Sequence, residues 1–195
     1  MNLNSNKPQN KGQSNEKEKS KKIFPKVFIL DVDGVLTTGQ FFYSAAGKLM
    51  RVFGADDNDA LSLLRGKLEI RFVTGDKRGF SISKKRIVDD MGYKLDLVST
   101  IRRLEWIREH YSIDSVIYMG DGIFDHHVMS NVGYSLAPQN ADKNAKAFAS
   151  FITARSGGDR AGAEACLHIL EKFYSPYNPE GSLDKYLRSS GEWTV

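Results

Sequence analysis

"FILDVDGVLTTG", Phe28 to Gly39, decides how the rest of the chain is read. Three apolar residues lead into Asp31, Val32 and Asp33, followed by a glycine, two more apolar residues and two threonines. The β-branched and aromatic content of "KVFILDV" predicts a buried strand. Two carboxylates at the end of such a strand repel each other and need something to offset that repulsion.

Two further apolar runs end in the same manner. "LEIRFVTG" reaches Thr74-Gly75-Asp76, and "SVIYMGDG" reaches Gly120-Asp121, with Asp125 four residues on. Helical patterns alternate with these strands: "DNDALSLLRG", "FSISKKRIVDDMG", "TIRRLEWIREHY" with Ile101, Leu104 and Ile107 on one face, "FDHHVMSNVG", "ADKNAKAFA" and "DRAGAEACLHILEKFY". "LDLVS", "YSLAP" and "FITA" add short strands, and "GQFFYSAAGKLMRVF" reads as a hairpin around Ala45-Ala46-Gly47. The alternation predicts an α/β fold, a three-layer α/β/α arrangement of Rossmann-like type with a mostly parallel sheet covered on both faces and a β-hairpin after the first strand.

Ligands of such sheets bind at the carboxyl ends of the strands, near the point where strand order reverses. Those ends are expected to bring Asp31, Asp33, Asp121 and Asp125 around one point. Four carboxylates share a site only with a cation, and oxygen-only ligands select a hard divalent ion, Mg²⁺. His126 and His127 stand next to Asp125, but neighbours on a helix point about 100° apart and do not chelate together.

Composition bounds the remaining possibilities. At 195 residues the chain supports one domain of ordinary size, and 41% hydrophobic with 27% charged residues fits a soluble globular protein. No run approaches a membrane span of roughly 20 apolar residues, and no secretory signal is evident. The single Cys166 forms no internal disulfide, which fits a reducing cytoplasm. Residues 1–26 hold seven lysines and two glutamates, so their net of +5 exceeds the whole chain's +4 and leaves the remainder near −1. Residues 1–25 are read as a disordered basic tail, 26–174 as the folded domain and 175–195 as an extended tail. With no zinc spacing, aromatic–basic interleaving or helix-turn-helix signal, a nucleic-acid partner is not expected.

"DVDGVLT", "VTG" and "GDGIFD", each ending an apolar strand, resemble the motifs of the haloacid dehalogenase superfamily of phosphohydrolases. The hairpin straight after the first motif, the lack of a cap insertion and the ending "RSGGDRAGAEACLHILEKF" most resemble its capless phosphatases of 3-deoxy-D-manno-octulosonate 8-phosphate, with nonulosonate 9-phosphate phosphatases as close variants. The resemblance implies Asp31 as nucleophile, forming an aspartyl-phosphate, and Asp33 as general acid and base. It implies Mg²⁺ held by Asp31, the backbone carbonyl of Asp33 and Asp121, with Asp125 orienting the metal shell. Thr74 and Gly75 would bind phosphoryl oxygens. It also implies a homotetramer to which the hairpin contributes; Phe41, Phe42 and Tyr43 make both hairpin faces apolar, as an interface requires.

The family's phosphate-binding lysine has no counterpart before the last motif; "STIRRLEWI" offers Arg102 or Arg103. The apolar pattern fits Arg103, whereas a helix one turn shorter than usual places Arg102, and Arg102 is taken. Asp76 stands where the resembled phosphatases commonly carry Arg, so Lys77 or Arg78 is a candidate to reach substrate instead. Gly122 replaces the usual second Asp of the acidic motif, and Arg160 and Glu164 sit in a shifted C-terminal pattern. These departures touch substrate contacts more than chemistry. A phosphatase of the same mechanism for another small phosphate, and a catalytically weak interaction subunit, are the alternatives; a substrate panel and turnover of p-nitrophenyl phosphate distinguish them.

Overall fold

β1 (Val27–Asp31) sits at the middle of the sheet, and its five residues are all buried. The computed structural model describes residues 24–182; the basic tail up to residue 23 and residues 183–195 of the expected C-terminal tail lie outside them. Six parallel strands run in the order β5-β4-β1-β6-β7-β8. The others are β4 (Glu69–Thr74), β5 (Lys94–Leu97), β6 (Val116–Met119), β7 (Tyr134–Ala137) and β8 (Phe151–Ile152). The chain leaves β1 for β4 and β5 on one side, then returns to β6 on the other. Strand order therefore reverses at β1, whose register sets Asp31 beside Val73 and Leu30 beside Met119.

Strand periodicity splits the core in two. Phe28, Leu30 and Phe72 face a cluster closed by α1 (Asp56–Ser62) and α6 (Ala161–Phe173). Val27, Ile29, Val73 and Tyr118 face a second, covered by α3 (Arg103–His110), α4 (His126–Met129) and α5 (Lys143–Phe148). Burial on both faces is what makes the strands read as continuous apolar runs. Between them, α2 (Phe80–Lys84) continues as a wider π-type turn through Asp90. The hairpin forms as expected, β2 (Phe42–Ser44) against β3 (Gly47–Met50). A Thr37–Phe53 bridge and a 3.3 Å hydrogen bond from the Thr38 amide to the Val52 carbonyl close its base. Phe42, Tyr43, Leu49 and Met50 on it are exposed.

One expected feature changes. The run "TIRRLEWIREHY" does not start as one regular helix, because Thr100–Arg102 form a 3₁₀ turn and the α-helix begins at Arg103. A 3₁₀ turn advances about 120° per residue rather than 100°. Ile101 consequently rotates to solvent, 75% exposed, while Arg103 and Ile107 take the buried face. At the C-terminal end, Tyr174 and Tyr177 pack against the core.

Candidate active site

The carboxyl ends of β1 and β4 and the segments that follow β5 and β6 line a cavity of about 480 Å³. Asp31, Asp33, Lys48, Asp76 and Arg103 supply its charged lining, Ser99 and Thr100 add hydroxyls, and Ile101 and Phe124 form apolar wall.

After Asp31 the chain leaves the strand in a tight turn, Val32–Leu36, in which Gly34 adopts φ 83°. A Cβ there would lie 1.9 Å from Asp121 Oδ2, so only glycine lets the two loops approach. Oxygens of Asp31, Asp121 and Asp125 lie within 4.8 Å of one another. Of the four carboxylates expected around one point, Asp33 stands apart from this cluster. Its backbone (φ −80°, ψ 120°) and that of Gly34 break the turn, and its side chain is aimed at β4 and the hairpin.

Arg103 lies against the cluster, 1% exposed. Its Nη1 donates to Asp31 Oδ2 at 2.7 Å, to Asp125 Oδ1 at 3.1 Å and to the Tyr118 hydroxyl at 2.7 Å. Tyr118 donates in turn to Asp125 Oδ1 at 2.6 Å, and the Gly122 amide to Asp125 Oδ2 at 2.8 Å. Arg102, expected at the site, is exposed and pairs with Glu105 at 3.1 Å, and Arg103 is the arginine beside Asp31. The 3₁₀ turn that rotates Ile101 outward also carries Arg102 away from the site.

On the other side of Asp31, Asp33 Oδ2 accepts from Thr74 Oγ1 at 3.0 Å. Asp33 Oδ1 lies 3.2 Å from Arg51 Nη1. Arg51 is buried and also donates to Asp76 and Ser83, and Lys48 donates to Asp76 as well. Gly75 lines the cavity beside Thr100. Lys77 and Arg78 are exposed and outside the lining. Arg160 pairs with Asp56 at 2.6 Å, and Glu164 accepts from the Ala154 and Arg155 amides, so both hold the scaffold. His126 Nδ1 meets the Ile123 carbonyl at 2.7 Å. Sequence reasoning missed Arg51 and Lys48: their only signal was two cations in a hairpin otherwise read as an interface.

Electrostatics favour a cation at the three-acid cluster. Burial, opposed by Arg103 and aided by Asp125, raises the Asp31 carboxyl to about 6. Burial, then the neighbouring Asp31 and Asp125, raises Asp121 to about 8. Arg103 is thus not enough to neutralise all three. An all-oxygen set of this kind suits a hard divalent ion, and the residues present fit one. Asp33 is also raised by burial, with Arg51 and Thr74 opposing the shift.

Residues 80–159 match the model of a family described as haloacid dehalogenase-like hydrolase. Over 155 residues the chain is 28% identical to the 3-deoxy-D-manno-octulosonate 8-phosphate phosphatase KdsC of Salmonella typhi, covering 74% of this chain and 79% of that one. A probable YrbI family phosphatase of Pseudomonas syringae superposes with TM-score 0.68 at 25% identity, covering 77% of this chain and 88% of the other. The 3-deoxy-D-manno-octulosonate 8-phosphate phosphatase of Moraxella catarrhalis, solved with magnesium, phosphate and its sugar acid, shares the fold at TM-score 0.65 and 22% identity over 76% and 87% of the two chains. With its parallel α/β sheet and these likenesses, the chain is similar to haloacid dehalogenase-type phosphatases, hydrolases of phosphoric monoesters. Among such enzymes it is similar to the 3-deoxy-D-manno-octulosonate 8-phosphate phosphatases.

Proposed function

We propose that residues 26–174 form a capless, Mg²⁺-dependent phosphatase acting on a sugar-acid phosphate, either 3-deoxy-D-manno-octulosonate 8-phosphate or a related nonulosonate 9-phosphate. The observation that carries this reading is the position of Asp31. It stands at the strand-order reversal, held by Arg103 and flanked by Asp121 and Asp125 on one side and Asp33 on the other.

In this reading Asp31 attacks phosphorus in line and forms an aspartyl-phosphate. Asp33 gives its proton to the leaving sugar oxygen as the P–O bond breaks. It then takes a proton from the water that hydrolyses the phospho-enzyme and frees Asp31. Thr74, the Gly75 amide and Arg103 bind phosphoryl oxygens; Arg103 Nη2 makes only a long 3.4 Å contact with Asp31 Oδ1 and has capacity to spare. Asp31, Asp121 and the Asp33 main-chain carbonyl would hold Mg²⁺, with Asp125 orienting it; the ion supplies positive charge for the phosphoryl group.

Metal removal gives a direct check. Excess EDTA should abolish turnover, and saturating Mg²⁺ should raise the melting temperature by several degrees, since binding at 100 times Kd adds about 2.7 kcal/mol and 1 kcal/mol is worth roughly 2–4 °C at this size. Asp121→Ala should lose that rise. The sign with pH follows from the raised carboxyls. Folded-state values of about 6 for Asp31 and about 8 for Asp121 stand above the usual 3.8. Their contribution is therefore most favourable below that value and is lost as pH climbs from about 4 to about 8. Mg²⁺ should flatten this fall. Asp57, raised to about 6 mainly by burial, adds to the fall but not to the Mg²⁺ response. Turnover unchanged in EDTA would sink the metal assignment.

The substrate is tested by a panel of the two sugar-acid phosphates, neutral hexose phosphates and nucleotides. At least one sugar-acid phosphate should lead by tenfold or more in kcat/KM. One observation favours the second reading, a different small phosphate: Asp76, not Arg, occupies the loop after Thr74-Gly75. A nucleotide or neutral sugar at the top of the panel would establish it. The exposed Phe42, Tyr43, Leu49 and Met50 support the homotetramer expected from sequence. No helix among the described residues is long and apolar enough to cross a membrane.

A further inference from the structure

Arg51 is a fully buried guanidinium on the hairpin side of the cavity, and the mechanism above gives it no task. It follows β3 directly, next to the Thr37–Phe53 bridge that fixes the hairpin's base. Three polar groups hold it: the Asp76 carboxylate, the Ser83 hydroxyl and Asp33 Oδ1 at 3.2 Å. Asp76 and Ser83 belong to the loop and helix after β4 and are far from the three-acid cluster in role. They fix the direction in which the guanidinium points, and it points at Asp33. Asp33 Oδ1 is buried and accepts no hydrogen bond, and Arg51 is the cation that pairs with it, with Lys48 acting from farther off. Thr74 Oγ1 meets the other oxygen at 3.0 Å. The carboxyl group is thus gripped at both ends, by the hairpin and by β4, at the wall of the cavity.

We propose that Arg51 is a positioning residue for proton transfer: it orients Asp33 toward the leaving oxygen and stabilises the carboxylate that Asp33 becomes. This rests on Asp33 being the general acid. In the step concerned, the O–H bond of the Asp33 carboxyl breaks as the phosphorus–leaving-oxygen bond breaks. The proton goes to the departing oxygen, which leaves as an alcohol. The negative charge left on Asp33 develops 3.2 Å from Arg51. The Oδ1 end of that charge is buried, where an opposite fixed charge has most effect. The hairpin therefore contributes to chemistry in its own subunit, independently of any part in assembly.

The need for a proton depends on the leaving group, which gives the test. Values of kcat/KM are measured for a series of aryl phosphates from p-nitrophenyl phosphate to phenyl phosphate, in wild type, Arg51→Met, Arg51→Lys and Asp33→Asn. p-Nitrophenolate departs readily without a proton; phenolate needs one more. Wild type should show a shallow dependence on leaving-group basicity. Arg51→Met should lose on the order of 10²-fold with phenyl phosphate, the usual scale of general acid catalysis, and at least tenfold less with p-nitrophenyl phosphate. Arg51→Lys retains the charge but not the three-way fork, and should fall between. It also supplies the comparison if the Met variant fails to fold. A merely structural role would lower every substrate by the same factor, and that uniform loss, or a wild-type slope in both Arg51 variants, would overturn the proposal. Asp33→Asn separates the two readings. If it steepens the dependence while the Arg51 variants do not, only the role of Arg51 fails; if it too leaves the slope shallow, Asp33 is not the acid.

Discussion

Asp31→Asn should reduce turnover by on the order of 10³–10⁶, the range seen when a covalent nucleophile is removed, while the fold persists. The amide is nearly isosteric but does not attack phosphorus. Its oxygen still accepts from Arg103 or from the Val32 amide, which Asp31 Oδ1 now meets at 2.7 Å. Stability in the absence of metal should not fall at neutral pH, because burial already raises the Asp31 carboxyl to about 6 and ionising it there opposes folding. The decisive measurement pairs steady-state kinetics with thermal melting of both proteins in EDTA. An Asn variant retaining a tenth of wild-type activity would exclude the aspartyl-phosphate route, whatever its melting point.

Arg103→Ala should have the second largest effect, and it should be double. Removal strands Asp31, Asp125 and the Tyr118 hydroxyl, all buried. Breaking one partner out of a buried ion pair costs about 3–5 kcal/mol. Loss of a preorganised donor to the phosphoryl group should lower kcat by roughly 10²–10³. Arg103→Lys keeps the charge and should restore most of the stability, but a single ammonium does not reproduce the two-nitrogen contact with Asp31. Arg102→Ala is the control. Its partner Glu105 is more than half exposed, pairs of that kind contribute little, and the change should stay within about 0.5 kcal/mol. The reverse pattern, a silent Arg103 and a critical Arg102, would show that the helix in solution starts one residue earlier.

The α/β class, the element order and the strand ends that carry the acids were all legible from residue type and spacing. Apolar runs such as "FILD" and "FVTG" are local signals, and parallel strands buried on both faces leave few other readings. Asp31, Thr74, Asp121 and Asp125 could be singled out because each lies at or just beyond such an end. What only the tertiary structure decided concerns groups whose direction depends on something other than strand periodicity. Arg102 and Arg103 differ by a rotation, and whether the first turn is 3₁₀ or α sets which one enters the core; Ile101 in the same turn was misplaced for the same reason. The separation of Asp33 from the other three acids follows from two backbone conformations at residues 33 and 34 that no spacing rule specifies. Arg51 reaches Asp33 and Asp76 from a hairpin paired only with itself, and contacts 18 and 25 residues away in sequence depend on how that hairpin folds over the sheet. Local periodicity fixes where a strand ends; the direction in which a long charged side chain points is set by whatever packs against it, and that is known only once the chain is closed.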